Sequence, residues 1–206
     1  SSIGMALVVA TVLGLGGVFG RWEVLFTGAP IAEMGAACTK GSPGEVMLAA
    51  PARARIADLC EGEEREGGHL RVTRLGREVA PRPLAAVRAL AEVRETLRSF
   101  IPAAIRSWLV AGQSAWIGEL RRVSILFVNL PDLTFDTPLA LSQDVMRALQ
   151  AATYRFEGSI NKLSIDEKGV TLVAALGLPP LPHEDDAVRA VQAAFAIREA
   201  LERLSL

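Results

Sequence analysis

The stretch RRVSILFVNL (121–130), with GSINKLSIDEKGVTLVAAL (158–176) after it, decides how this chain folds. Val123–Leu130 is an almost unbroken apolar run, which predicts a central strand covered on both faces. Pro131–Pro138 reads as a loop, and the apolar spacing of Leu139–Phe156 as a helix that ends at Glu157-Gly158. Ser159–Ile165 and Val170–Leu176 then form two strands around the turn Asp166–Gly169. Pro179, Pro180 and Pro182 break the chain before a last helix, Glu184–Leu204. Its opening acids Glu184, Asp185 and Asp186 suit the positive end of a helix dipole. The order strand–helix–strand–strand–helix is that of a split βαβ, ferredoxin-like arrangement lacking its last strand.

Upstream, composition changes twice. Residues 1–75 are rich in glycine and β-branched residues, so they read as strands around a short helix. Ile3–Val12, a turn near Gly14–Gly17 and Trp22–Phe26 form a hairpin. The competing reading of the uncharged run Ile3–Gly20 is a membrane span. Five glycines in it and the lack of any preceding basic residue weigh against a span or a signal peptide. Ile31–Thr39 and Pro51–Cys60 read as helices, Glu45–Ala49 and Leu70–Leu75 as strands, and Glu61–Gly68 as a charged loop. Residues 76–120 are rich in Ala, Leu and Arg and read as a helical linker. Eight Arg against four Glu over 76–122 would suit phosphate or acidic lipid, but a connecting helix with a solvated face is the better account of them. Trp108 and Trp116 are expected to pack on a neighbour.

Composition excludes several classes. Half of the 206 residues are hydrophobic, which is too apolar for disorder. A net charge of -1 gives no bulk attraction to nucleic acid. Cys38 and Cys60 cannot make a disulfide framework or a four-cysteine zinc site, and a reduced pair suits a cytoplasmic protein. Walker, HExxH, GxSxG and CxxC motifs are absent, and Gly14-Leu15-Gly16-Gly17 opens no helix of a dinucleotide fold. His183 beside three acids could suggest a metal, but the helix dipole accounts for those acids. Candidate polar residues remain: Asn129 at the carboxyl end of its strand, and Asn161-Lys162 beside the turn with Asp166, Glu167 and Lys168. For Lys162 the plain alternative is a solvated lysine on a half-exposed strand.

RRVSILFVNL (121–130), INKLSIDEKG (160–169) and LPHEDDAVRAVQAAFAIREAL (181–201) resemble the first half of a class III nucleotidyl cyclase domain. The nearest type is the second catalytic domain of the tandem, bicarbonate-responsive soluble adenylyl cyclases. GGVFGRWEVLFTGAPI (16–31) with SPGEVMLAAPA (42–52) resembles the second half of the first domain of such enzymes. The resemblance implies an α+β fold of two half-domains, 1–75 and 121–206, joined by the linker. It implies an intracellular signalling reaction in which ATP becomes cyclic AMP and pyrophosphate, assisted by two Mg²⁺ ions. The aspartates that hold those ions in the family would precede Ser1, so the chain alone is expected to be inactive. Ser1-Ser2 against an apolar run, without an initiator Met, likewise reads as a cut from something longer.

Lys162 matches the family's adenine-recognising lysine, so ATP and a complementary cyclase domain are the implied partners, without nucleic acid or a membrane span. Asn129 stands where a metal-binding domain has Asp and cannot supply an anionic ligand. Gly35 stands where the family often has an Arg facing phosphate or bicarbonate. Phe26 and Ile165 match apolar positions near that corner and are expected in the core. A degenerate cyclase-homology module that binds nucleotide or dimerises is the alternative reading. The two halves could also dock as a permuted pseudo-domain, with Ile3–Val12 beside Val123–Leu130; the liability of an unpaired edge motivates that expectation.

Overall fold

A computed structural model describes residues 2–6, 10–78, 80–83, 91–102, 105–106, 109, 120–134, 136–166 and 169–205. The chain is a mixed α+β protein that divides into two compact units. The division does not follow chain order, because Leu13–Leu25 groups with Ala89–Ser164 and Gly169–Leu206. Ser1–Val12, Phe26–Arg88 and Ile165–Lys168 make the other unit. Trp108 and Trp116 lie outside the described residues, as do 22 of the 45 linker residues 76–120.

The first unit is built on a sheet of β1 (Ile3–Met5), β4 (Val46–Leu48), β6 (His69–Leu75) and β5 (Cys60–Arg65), in that order. β1 runs parallel to β4, while β4–β6 and β5–β6 are antiparallel. Helix α1 (Ala29–Thr39) packs on β1 and β4, starting two residues before the expected Ile31. Pro30 explains the earlier start: its fixed φ suits the first helical turn, where no N–H partner is needed. Gly4 sets how closely α1 approaches, since a Cβ there would stand 2.4 Å from the Met34 carbonyl oxygen. Ala37, Met47 and Ala49 form one small core; Leu48, Cys60 and Leu70 form another. Helix α2 (Ala50–Ile56) is shorter than the helix expected over Pro51–Cys60, and a 3-10 turn carries it into β5. Both cysteines are free.

The expected charged loop over Glu61–Gly68 is instead β5 followed by a tight turn, Glu66–Gly68. Charge is what makes this strand possible. Glu61 faces Arg74 and Glu63 faces Arg71 in register, and both pairs close as ion pairs. Arg53 reaches Glu64 at 3.2 Å, and Lys40 reaches Glu66 at 2.8 Å.

A hairpin forms between β2 (Thr11–Gly16) and β3 (Trp22–Thr27) around Val18–Gly20, but its first strand is not the expected Ile3–Val12: only Thr11 and Val12 belong to it, and Ile3–Met5 pairs with β4 instead. The second unit holds a further sheet, ordered β7 (Ser124–Leu130), β9 (Gly169–Leu176), β8 (Ser159–Asp166). Helices α4 (Leu139–Tyr154) and α5 (Asp186–Glu202) pack on each other, and α5 packs on β7 and β9. A short helix, α3 (Ala91–Arg98), lies before β7. β7 is an edge strand, not the central strand expected over Val123–Leu130. Its exposure alternates, and Phe127 is 74% exposed. The apolar run covers both faces of the strand, but among the described residues only the side carrying Leu126, Val128 and Leu130 is shielded. Among the described residues the hydrogen-bonded neighbour of β7 is β9 and that of β1 is β4; residues 7–9 of the expected strand Ile3–Val12 lie outside them. Among the described residues no helix is long and apolar enough to cross a membrane.

Candidate functional site

Lys162 sits mid-way along β8 with an exposed side chain and, among the described residues, no hydrogen-bond or ion-pair partner. Asn161 beside it is exposed as well. Asn129 is exposed near the end of β7, opposite Thr171. β9 lies between β7 and β8, so Lys162 and Asn129 share a sheet without being neighbours. Asp166 ends β8, whereas Glu167 and Lys168 lie outside the described residues.

The other positions singled out in the sequence fare differently. Gly35 lies on α1, and a Cβ there would meet open space, so packing does not demand glycine. Phe26 is 58% exposed rather than in the core. The cause is the parity of β3: Glu23, Leu25 and Thr27 turn inward, which leaves Val24 and Phe26 outside. Ile165 is half-buried. His183 and its acids form no metal cluster: among the described residues no three His, Cys, Asp or Glu converge to hold an ion. Each acid has another task or place. Asp186 accepts from the His183 N–H at 2.9 Å, Asp185 pairs with Arg189, and Glu184 precedes the helix. Only Asp186 lies in the first turn of α5, since the helix begins two residues later than expected.

No family model matches the chain, and no curated protein matches it. The site therefore rests on its own chemistry.

That chemistry is densest where the hairpin tip meets α4, inside the second unit. The side-chain amide of Gln143 grips Gly16 from both sides: Nε2 donates to its carbonyl at 2.8 Å and Oε1 accepts from its N–H at 2.9 Å. Gln150 is fully buried; it donates to the Arg21 carbonyl and accepts from the Val18 N–H, both at 3.0 Å. Gly16 has φ 104°, and a Cβ there would stand 2.5 Å from the Gln150 amide, so both backbone freedom and space require glycine. Arg21 donates to the carbonyls of Trp22 and Ser99 and to Glu23 Oε2 at 2.9 Å.

Glu23 is only 5% exposed. Burial pushes its carboxyl up to about 7 against the opposing pull of Arg21 and Gln150. Burial, followed by the charge of Glu23, pushes the Tyr154 phenol up to about 12, so it stays a neutral O–H donor at physiological pH. Sequence reasoning did not reach this cluster. Its only signals were Glu23 at an inward position of WEVLFT and Gln150 among the apolar residues of α4.

Beside the cluster lies a cleft of about 330 Å³, lined by apolar side chains including Ile101, Pro102 and Leu181 and by the polar Arg21, Arg106 and Tyr154. Glu157 stands at its border, held by His183 Nε2 at 2.6 Å and Arg189 at 2.8 Å.

Proposed function

We propose that the chain is part of a class III nucleotidyl cyclase that converts ATP to cyclic AMP and pyrophosphate, with 1–75 and 121–206 as halves of two successive catalytic domains. The observation that carries this reading is the arrangement of 124–202. Two strands, β7 and β8, are split by β9, with paired helices between and after them, in the order a split βαβ unit has. On this reading Lys162 recognises adenine: its ammonium donates to a ring nitrogen that guanine presents protonated. Its exposure and freedom from other partners leave it available for that bond.

The residues present do not fit the two Mg²⁺ ions of the family. Asn129 is neutral, and no anionic donor set converges among the described residues. No step of the reaction is therefore assigned to this chain. Its part is base recognition and pairing with a complementary domain. The neutral Asn129 and the open space at Gly35 favour a second reading, a degenerate module that binds nucleotide or dimerises without catalysis.

Cyclic AMP synthesis from ATP and Mg²⁺ by the longer protein, extended at both ends, separates the two. Activity that loses its preference for ATP over GTP in Lys162→Ala supports the cyclase reading. Activity with unchanged preference removes Lys162 from base recognition, and inactivity of the longer protein leaves the module.

A further inference from the structure

We propose that the cleft of the second unit binds a small aromatic monocarboxylic acid, its ring system against Phe19 and the proline-lined wall and its carboxylate on Arg106. Lys162 plays no part, so the inference stands apart from the cyclase reading.

Volume and lining set the size and polarity of the ligand. A cavity of about 330 Å³ is near the lower end of small-molecule sites, about 300–1,000 Å³, which are mostly apolar with a few fixed polar groups. Pro102, Pro179, Pro180 and Leu181 present flat or aliphatic surfaces here. The ring of Phe19 lies 6.2 Å from that of Tyr154, tilted by 34°, within the range at which aromatic rings attract.

One cation is left free for an anion. Arg21 is engaged by Glu23 and by the Trp22 and Ser99 carbonyls, and Glu157 by Arg189 and His183 Nε2. Arg106 alone has no side-chain partner among the described residues, and its side chain is exposed to arriving solute. A planar guanidinium binds a carboxylate through two parallel N–H···O bonds. Inorganic phosphate has no apolar face to set against the proline-lined wall.

Backbone conformation points to the same place. Only three non-glycine residues are described at positive φ, and two of them, Phe19 (φ 52°) and Glu157 (φ 60°), line the cleft. Phe19 is 87% exposed at that uncommon φ, and its ring contact is with Tyr154, the other aromatic of the cleft, so the ring lines the cleft with most of its surface open to a ligand.

Calorimetric titration of the full chain with 2-naphthoate, its neutral analogue 2-naphthamide and inorganic phosphate tests the assignment. The acid is expected to bind saturably and at least about tenfold more tightly than the amide, the worth of one charge-assisted contact. Arg106→Gln should bring the acid down to the affinity of the amide and leave the amide unchanged. Phe19→Gly should weaken both ligands without lowering the unfolding midpoint, because glycine relieves the positive φ. Three results each overturn the proposal: no saturable binding of the acid up to about 1 mM, an affinity near the weak limit of specific sites; equal affinity for acid and amide; or phosphate that displaces the acid.

Discussion

At the edge of one sheet β5 carries four charges in six residues, CEGEER; at the edge of another β7, SILFVNL, carries none in seven. Among the described residues both strands have one hydrogen-bonded neighbour and one open side. β5 is held to β6 by cross-strand ion pairs, and the same charges discourage a further strand from adding to it. β7 is held to β9 by apolar packing beneath it, and nothing in its sequence protects the other side. The same edge position can thus be solved by charge or left open. The lesson extends inward: carboxylates paired with arginine on β5 are stabilised as anions, whereas Glu23, also beside an arginine, is not, because burial outweighs its partner.

The largest effect is expected from removing what holds β7. Leu172 is fully buried on β9, opposite Val128. Leu172→Ala should cost about 2–5 kcal/mol in denaturant unfolding. A loss below about 1 kcal/mol would show that apolar packing is not what anchors that edge.

Next comes the sign of the pH dependence. The neutral form of Glu23 stabilises the fold fully below its ordinary value of 4.5, and that contribution is lost as pH rises through about 7. Glu23→Gln should therefore gain about 1 kcal/mol at pH 8, with solvent screening and the lost Arg21 partner both trimming the gain. The advantage should vanish near pH 4. A variant less stable than the parent at pH 8 would mean that the Arg21 pair outweighs burial.

On β5 the sign reverses. Hydrogen bonds from Arg74 and Arg53 hold Glu61 and Glu64 below 4.5, so their contribution is present above that value and is lost as pH falls below it. Arg71 bridges Glu45 at 2.7 Å and Glu63 at 2.8 Å. Arg71→Gln should lower the unfolding midpoint at pH 7 and low salt, less so at high salt, and less again in acid as protonation removes the charge of Glu45, whose carboxyl the Ser42 N–H and Arg71 hold below its ordinary value of 4.5. A difference that persists in acid would identify lost packing as the cause.

The smallest effect on stability belongs to Phe127→Lys, within about 0.5 kcal/mol because the ring is exposed. Its effect on association is the sharper measure. Placing on β7 the charge that β5 already has should reduce concentration-dependent association in sedimentation velocity. Unchanged association would show that the open edge is not where chains meet.

Much of the secondary structure was legible. Leu139–Tyr154 and Gly169–Leu176 lie within two residues of where apolar spacing placed them, because one face of each is buried throughout. Glu61–Arg65 was not legible as a strand. Alternating charge reads as loop until the arginines opposite are known, and those lie on a strand paired only in the fold. Lys162 was visible as a residue type on a strand, while the Arg21–Glu23–Gln150–Tyr154 cluster was not, since it joins positions up to 133 residues apart.

By itself, then, the sequence determined local geometry: which segments alternate, which turn at glycine or proline, and that the protein mixes helix and strand. These follow from side-chain period and backbone sterics, which act over a few residues. Only the tertiary structure decided that β7 lies at an edge, that Glu23 is buried and Phe26 exposed, and that Phe19, Arg106 and Tyr154 share a cleft. Those outcomes depend on which distant surface arrives to cover a given face, and burial, not residue type, then fixes charge state and accessibility.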